Sequence, residues 1–221
     1  MSLDAPAVQR LRLDYVKGEP LRFVSHLDML RLWERACRRA GLPIAHTQGF
    51  NPRPRIALAC PLPTGVTSRA EKVDLFLTAR LEPGEVMRRL HAVLPLGVEI
   101  FAVAEVALTE PALMSLSATV DYQAAVEWPG SAADLDAHLR AFLAQEAVVR
   151  ERERKGRDAH YDLRPLVERL WVVGQHEGRY ILGMRLKSGP QGTGRPDEVL
   201  KALGLWESAR GLERTAIAFA P

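Results

Sequence analysis

The feature that most constrains this chain is an order of apolar periodicities that runs once and then begins again. Residues 10–16, RLRLDYV, alternate and read as a half-buried strand. After turn formers at 17–20, Leu27, Leu30, Trp33, Cys37 and Ala40 recur at helical spacing. Ser25 and Asp28 resemble a helix-start pair, and Gly41 with Pro43 marks the stop. A proline-punctuated stretch carries a short strand at 55–60, and alternating residues 72–78 predict another. A helix over 83–94 and an apolar strand over 98–106 complete the first run. Residues 108–116 interrupt the pattern and read as a linker. The second run predicts a strand at 118–127, a helix at 132–145 capped by Ser131, and a polar strand at 148–154. A short helical insertion at 162–170, a hairpin from 171–174 and 179–187, a helix at 196–203 and a strand at 212–219 follow.

Each run has the β-α-β-β-α-β order of the ferredoxin-like unit. The expected fold class is therefore α+β, with two tandem ferredoxin-like units built on antiparallel sheets. Unit 1 occupies 1–107 and unit 2 occupies 117–221. A single α+β domain with one larger mixed sheet is the alternative. The 221 residues suffice for two domains of about 100 residues each.

Several classes are excluded by composition. No apolar run approaches the roughly 18 residues of a membrane span, and MSLDAPAVQR lacks a signal-peptide apolar core. The expectation is a cytoplasmic protein with no membrane association. Cys37 and Cys60 are too few for a disulfide framework, a four-thiolate zinc site or a three-thiolate iron–sulfur cluster. Both read as small core residues. No metal or other cofactor is expected, since no two histidines sit at metal-ligand spacing and no nucleophile elbow occurs. His91, His138 and His176 read as isolated surface residues.

Net charge is only +3, yet Arg supplies 25 of the 30 basic residues. A GC-rich genome explains that choice as well as nucleic-acid contact does. Placement says more. Arg31, Arg35 and Arg38 form one helical stripe with Arg39 beside it, suited either to a phosphate backbone or to a solvated face. The loop Gly49-Phe50-Asn51-Pro52-Arg53-Pro54-Arg55 puts an aromatic ring among turn formers. Phe50 either stacks a base beside Arg53, Arg55 and Asn51 or anchors its own loop. Ser25 and His26, at a helix start, read as a cap or as a phosphate site, with His26 also a candidate general acid or base. In the second half Arg150, Arg152 and Arg154 alternate with Glu151 and Glu153, and Lys155 and Arg157 follow. This makes a one-sided basic strand or an ion-paired one. Residues 188–195 are Gly-rich and end in Arg195 before a helix, a weak phosphate-cradle signal or a hairpin tip.

The stretch 22–77 resembles a bacterial radical-SAM-associated family of unknown function. The resemblance is carried by Phe23-Val24-Ser25-His26-Leu27-Asp28, Arg38-Arg39-Ala40 and Gln48-Gly49-Phe50-Asn51-Pro52, with weaker matches to residue 200. It implies the stand-alone form of a domain otherwise fused behind a radical-SAM protein. It also implies a role near ribosome or RNA maturation. Many relatives carry His where this chain has Arg53, a change that keeps positive charge but not proton transfer. The favoured function is an RNA-binding accessory module acting on rRNA or tRNA beside a radical-SAM partner. One alternative, by analogy with CRISPR repeat-processing ribonucleases, is a metal-independent endoribonuclease using His26. The other is a protein-interaction module with Phe50 as its anchor.

Overall fold

In the computed structural model, residues 5–154, 157–189 and 192–219 are described. Two compact units divide the chain, Met1–Leu116 and Ser117–Pro221. The class is α+β, and every strand pairing within either unit is antiparallel among the described residues.

The first unit runs β1 (Gln9–Lys17), α1 (His26–Arg39), β2 (Ile56–Leu58), β3 (Thr67–Leu77), α2 (Pro83–His91), β4 (Val98–Val106) and α3 (Leu113–Leu116). Its strands pair in the order β4-β1-β3-β2. Alternation in β1 sends Leu11, Leu13 and Tyr15 to a core shared with Trp33 and Cys37 of α1 and Val86 and Leu90 of α2. The Tyr15 and Trp33 rings meet edge-on, 5.0 Å between centroids. The buried stripe of α1 is Met29, Trp33, Ala36 and Cys37. Leu27, expected on it, is 64% exposed. At 3.6 residues per turn Leu27 lies about 120° from Trp33, so it falls outside the stripe.

The opposite face of β1 is polar but closed. The Arg10 and Arg12 guanidinium groups both donate to the buried Asp74 carboxylate, each Nε at 2.9 Å. Arg10 also donates to the carbonyls of Glu110 and Pro111, and Arg12 donates to the Glu110 carboxylate at 2.7 Å. Residues 108–116, expected as a linker, are thus fastened to the first unit and end in α3, whose Leu113 is fully buried.

The second unit runs β5 (Ser117–Val126), α4 (Ala132–Leu143), β6 (Val149–Arg154), β7 (Arg157–Asp162), β8 (Val167–His176), β9 (Arg179–Gly189), β10 (Gly192–Thr193), α5 (Pro196–Ala202) and β11 (Arg210–Phe219). Its main strands pair as β11-β5-β9-β8, with β10 also on β9. Ser131 caps α4 in a reciprocal box with Asp134. Two expectations are corrected. The helical insertion at 162–170 is one 3-10 turn, Arg164–Leu166, followed directly by β8. The polar strand near 148–154 belongs to a separate two-stranded hairpin, β6 with β7.

Trp171 on β8 lies opposite Gly183 on β9. A Cβ on Gly183 would come 2.2 Å from the indole. Gly183→Ala should therefore displace the ring and cost about 1–3 kcal/mol. Chemical denaturation read by tryptophan fluorescence checks it, and unchanged stability would show that the indole moves freely.

Candidate nucleic-acid interface

Helix α1 begins because the Ser25 hydroxyl accepts from the Asp28 backbone N–H at 3.2 Å. The same hydroxyl donates to the Asp28 carboxylate at 2.7 Å, and Arg31 donates to it at 2.9 Å. The Ser25 contact first, then Arg31, holds the Asp28 carboxyl below its ordinary range. His26 occupies the first turn and is half-buried. With Trp33, Ala36 and Cys37 turned inward, Arg31, Arg35, Arg38 and Arg39 are all exposed. Among the described residues only Arg31 of these four hydrogen-bonds a carboxylate.

The loop after α1 is pinned at its neck. Thr47 N–H donates to the Arg53 carbonyl at 2.9 Å, and Arg53 N–H donates to the Thr47 hydroxyl at 3.0 Å. His46 and Pro54 bridge below them. Gly49, at φ +124°, supplies a bend that other residues rarely adopt. The closed loop leaves Phe50 at its tip, 112% exposed, with Asn51 and Arg53 exposed beside it. Phe50 therefore does not anchor its own loop. Arg55 is exposed too, but its guanidinium packs over the Phe76 ring at 4.2 Å. A recess of about 560 Å³, lined in part by His46, Thr47, Gln48 and Arg55, sits at the loop base.

Sequence reasoning missed a second concavity on the first unit. A groove of about 800 Å³ runs between α1 and residues 92–95. Arg35 and Arg39 line it, whereas Arg31 and Arg38 do not. Phe23, 71% exposed, also lines it. In the sequence Phe23 stands out only as part of the family resemblance, with no local pattern to show that its ring is exposed.

The second-unit candidates stand apart in character. Arg150 donates to Glu198 at 3.1 Å, so the first arginine of the basic strand ties the hairpin to α5. Arg152 pairs with Ala159 in register and Arg154 with Arg157. Lys155 lies outside the described residues, and so do Pro190 and Gln191 of the Gly-rich stretch. In the rest of that stretch a Cβ on Gly192 would meet the Leu166 side chain at 2.8 Å. One on Gly194 would meet the Leu166 carbonyl at 2.9 Å. The glycines thus permit close packing. Arg195 makes two hydrogen bonds to the Asp197 carboxylate, at 3.1 and 2.9 Å, and that contact raises its pKa. One edge of its fork is thus committed to a carboxylate. His138, expected at the surface, is half-buried, stacks near Trp128 and reaches the Leu203 carbonyl at 3.0 Å.

Both cysteines are buried. Burial pushes the Cys37 thiol up to about 12, so almost no thiolate exists at neutral pH. The native protein should leave Cys37 unlabelled by iodoacetamide, and denaturant should expose it. Fast native labelling at Cys37, read by mass spectrometry, would contradict this. Among the described residues no three His, Cys, Asp or Glu side chains cluster as a metal site. None of the described helices is long and apolar enough to cross a membrane.

No curated protein matches the chain. It is similar to a chain in the crystal structure of a Cbf5-Nop10-Gar1 complex, at 12% identity and a TM-score of 0.49. That alignment covers 97% of this chain and 49% of the other, so this chain spans about half the length of its match. Residues 10–196 match the family described as "Uncharacterized protein conserved in bacteria (DUF2344)", and the chain belongs to that family.

Proposed function

We propose that this protein is an RNA-binding accessory module that works beside a radical-SAM protein in rRNA, tRNA or ribosome maturation. The observation that carries the reading is the exposed face of α1. Four arginines share it, and among the described residues only Arg31 is ion-paired. Free guanidinium groups on a rigid helix suit phosphates, because each contact releases condensed counterions. The Phe50 loop adds an exposed ring with Arg53 beside it, a pairing that suits an unpaired base and its phosphate. The strand orders β4-β1-β3-β2 and β11-β5-β9-β8, each with two crossing helices, support reading the chain as tandem ferredoxin-like units.

Ultraviolet crosslinking in the native host, with sequencing of bound RNA and identification of bound protein, tests this. The expected result is RNA adducts on peptides of α1 and of the 47–55 loop, with a radical-SAM protein recovered alongside. Recovery of a protein partner with no RNA would overturn the RNA reading in favour of a docking module anchored by Phe50.

A further inference from the structure

We infer that the groove between α1 and residues 92–95 holds one unpaired nucleotide of the bound RNA, an inference that rests on the RNA-binding reading above. The groove divides the four arginines of α1 into two functions. Arg31 and Arg38 face outward, where any phosphate backbone can reach them. Arg35 and Arg39 line the concavity together with apolar surface from Val24, Leu32, Val93 and Pro95. Its volume, about 800 Å³, falls in the range of small-ligand sites.

Charge and chemistry within the groove favour a nucleotide. Neither Arg35 nor Arg39 hydrogen-bonds a carboxylate among the described residues, so both can receive phosphate oxygens. Asp28, the acidic residue on the lining, is held by Ser25 and by Arg31 at 2.9 Å, which offsets its charge. Phe23 supplies an aromatic face at the mouth, and the Arg22 guanidinium backs its ring at 4.8 Å. A base stacked on Phe23 can rest on the apolar wall while its phosphate meets Arg35 and Arg39. A base within a duplex is already stacked and paired, and cannot enter. The groove therefore selects single strands, bulges or loops, whereas the outward stripe binds any form of RNA.

The test uses the full chain and a short oligonucleotide carrying one 4-thiouridine, presented single-stranded or annealed to its complement. Irradiation of the single strand should place the adduct on peptides containing residues 21–24 or 92–95. Phe23→Ala should weaken single-strand binding about 10-fold and leave duplex binding unchanged. Phe23→Trp should restore it. Phe23 is largely exposed, so the thermal melt of both variants should match the wild type. Equal losses on single strand and duplex, or adducts confined to the Phe50 loop, would overturn the proposal. So would protection of the groove by an acidic amphipathic peptide that RNA does not displace. If the wild type binds neither probe, the RNA reading itself fails; if it binds both and Phe23→Ala changes nothing, only the groove assignment fails.

Discussion

Changing Arg35, Arg38 and Arg53 together to Ala should abolish most RNA binding while leaving the fold intact. All three side chains are exposed, and none hydrogen-bonds a carboxylate among the described residues. Their removal leaves no buried group unsatisfied, so stability should change by no more than about 0.5 kcal/mol per site. Each lost phosphate contact lowers the slope of log affinity against log salt by about 1. The triple variant should therefore lose about 3 from that slope, and its deficit should be larger at low salt than at high salt. Arg195→Ala is the internal control, because that guanidinium is already committed to Asp197. Its effect should be several-fold smaller. A triple variant that binds as the wild type does would remove α1 and the 47–55 loop from the interface.

The largest stability effect is expected at Asp74. This carboxylate is fully buried and accepts from both Arg10, 1% exposed, and Arg12. Asp74→Ala leaves a buried guanidinium without its counter-charge, a change that costs about 3–5 kcal/mol. For a unit of this size the melting temperature should fall by roughly 10–25 °C. Arg10 also carries the carbonyls of Glu110 and Pro111, so the loss should loosen residues 107–116 before the rest of the unit. Hydrogen exchange should show that segment unprotected in Asp74→Ala and protected in the wild type. A melting point within about 3 °C of the wild type would mean that solvent reaches Arg10 in the native state.

The elements that were legible in the sequence are those whose period and ends agree. Ser25, Trp33, Cys37 and Gly41 mark α1 from start to stop, and the alternation of Leu11, Leu13 and Tyr15 marks β1. The element order of the first unit was readable from its periods, whereas between α4 and α5 the second unit adds the β6–β7 hairpin and the two-residue β10, which is too short to show one. The failures have local causes. In DLRPLVERL, Leu163, Leu166, Val167 and Leu170 sit at helical spacing. The register of β8 slips between Val167 and Arg169, and that bulge turns both Val167 and Leu170 inward at a spacing no regular strand allows. Residues 149–154 do form a strand, but it pairs with the adjacent β7, Arg154 opposite Arg157, over residues whose sequence shows no apolar alternation to mark a second strand.

The candidate site was legible where function follows from exposure of charge on a predictable helix. The stripe at Arg31, Arg35, Arg38 and Arg39 needed only the helical period and the inward direction of Trp33. Phe50 could be placed in a loop but not given a direction, since its exposure depends on the Thr47–Arg53 neck bonds. The groove was invisible, because it brings Phe23 and α1 to a segment some 60 positions later in the chain, at Val93 and Pro95. For Arg150 the sequence left a basic and an ion-paired strand both open, and for Arg195 a weak phosphate cradle; the fold pairs them with Glu198 and Asp197.

The most direct measurement of the central claim is a titration of the wild-type protein with a structured cellular RNA, tRNA or an rRNA fragment, at about 50 and 200 mM salt, where backbone contacts are respectively strong and screened. Saturable binding at the lower salt that weakens steeply at the higher is the expected result. Absence of binding at about 50 mM, where electrostatic contacts are strongest, would contradict it.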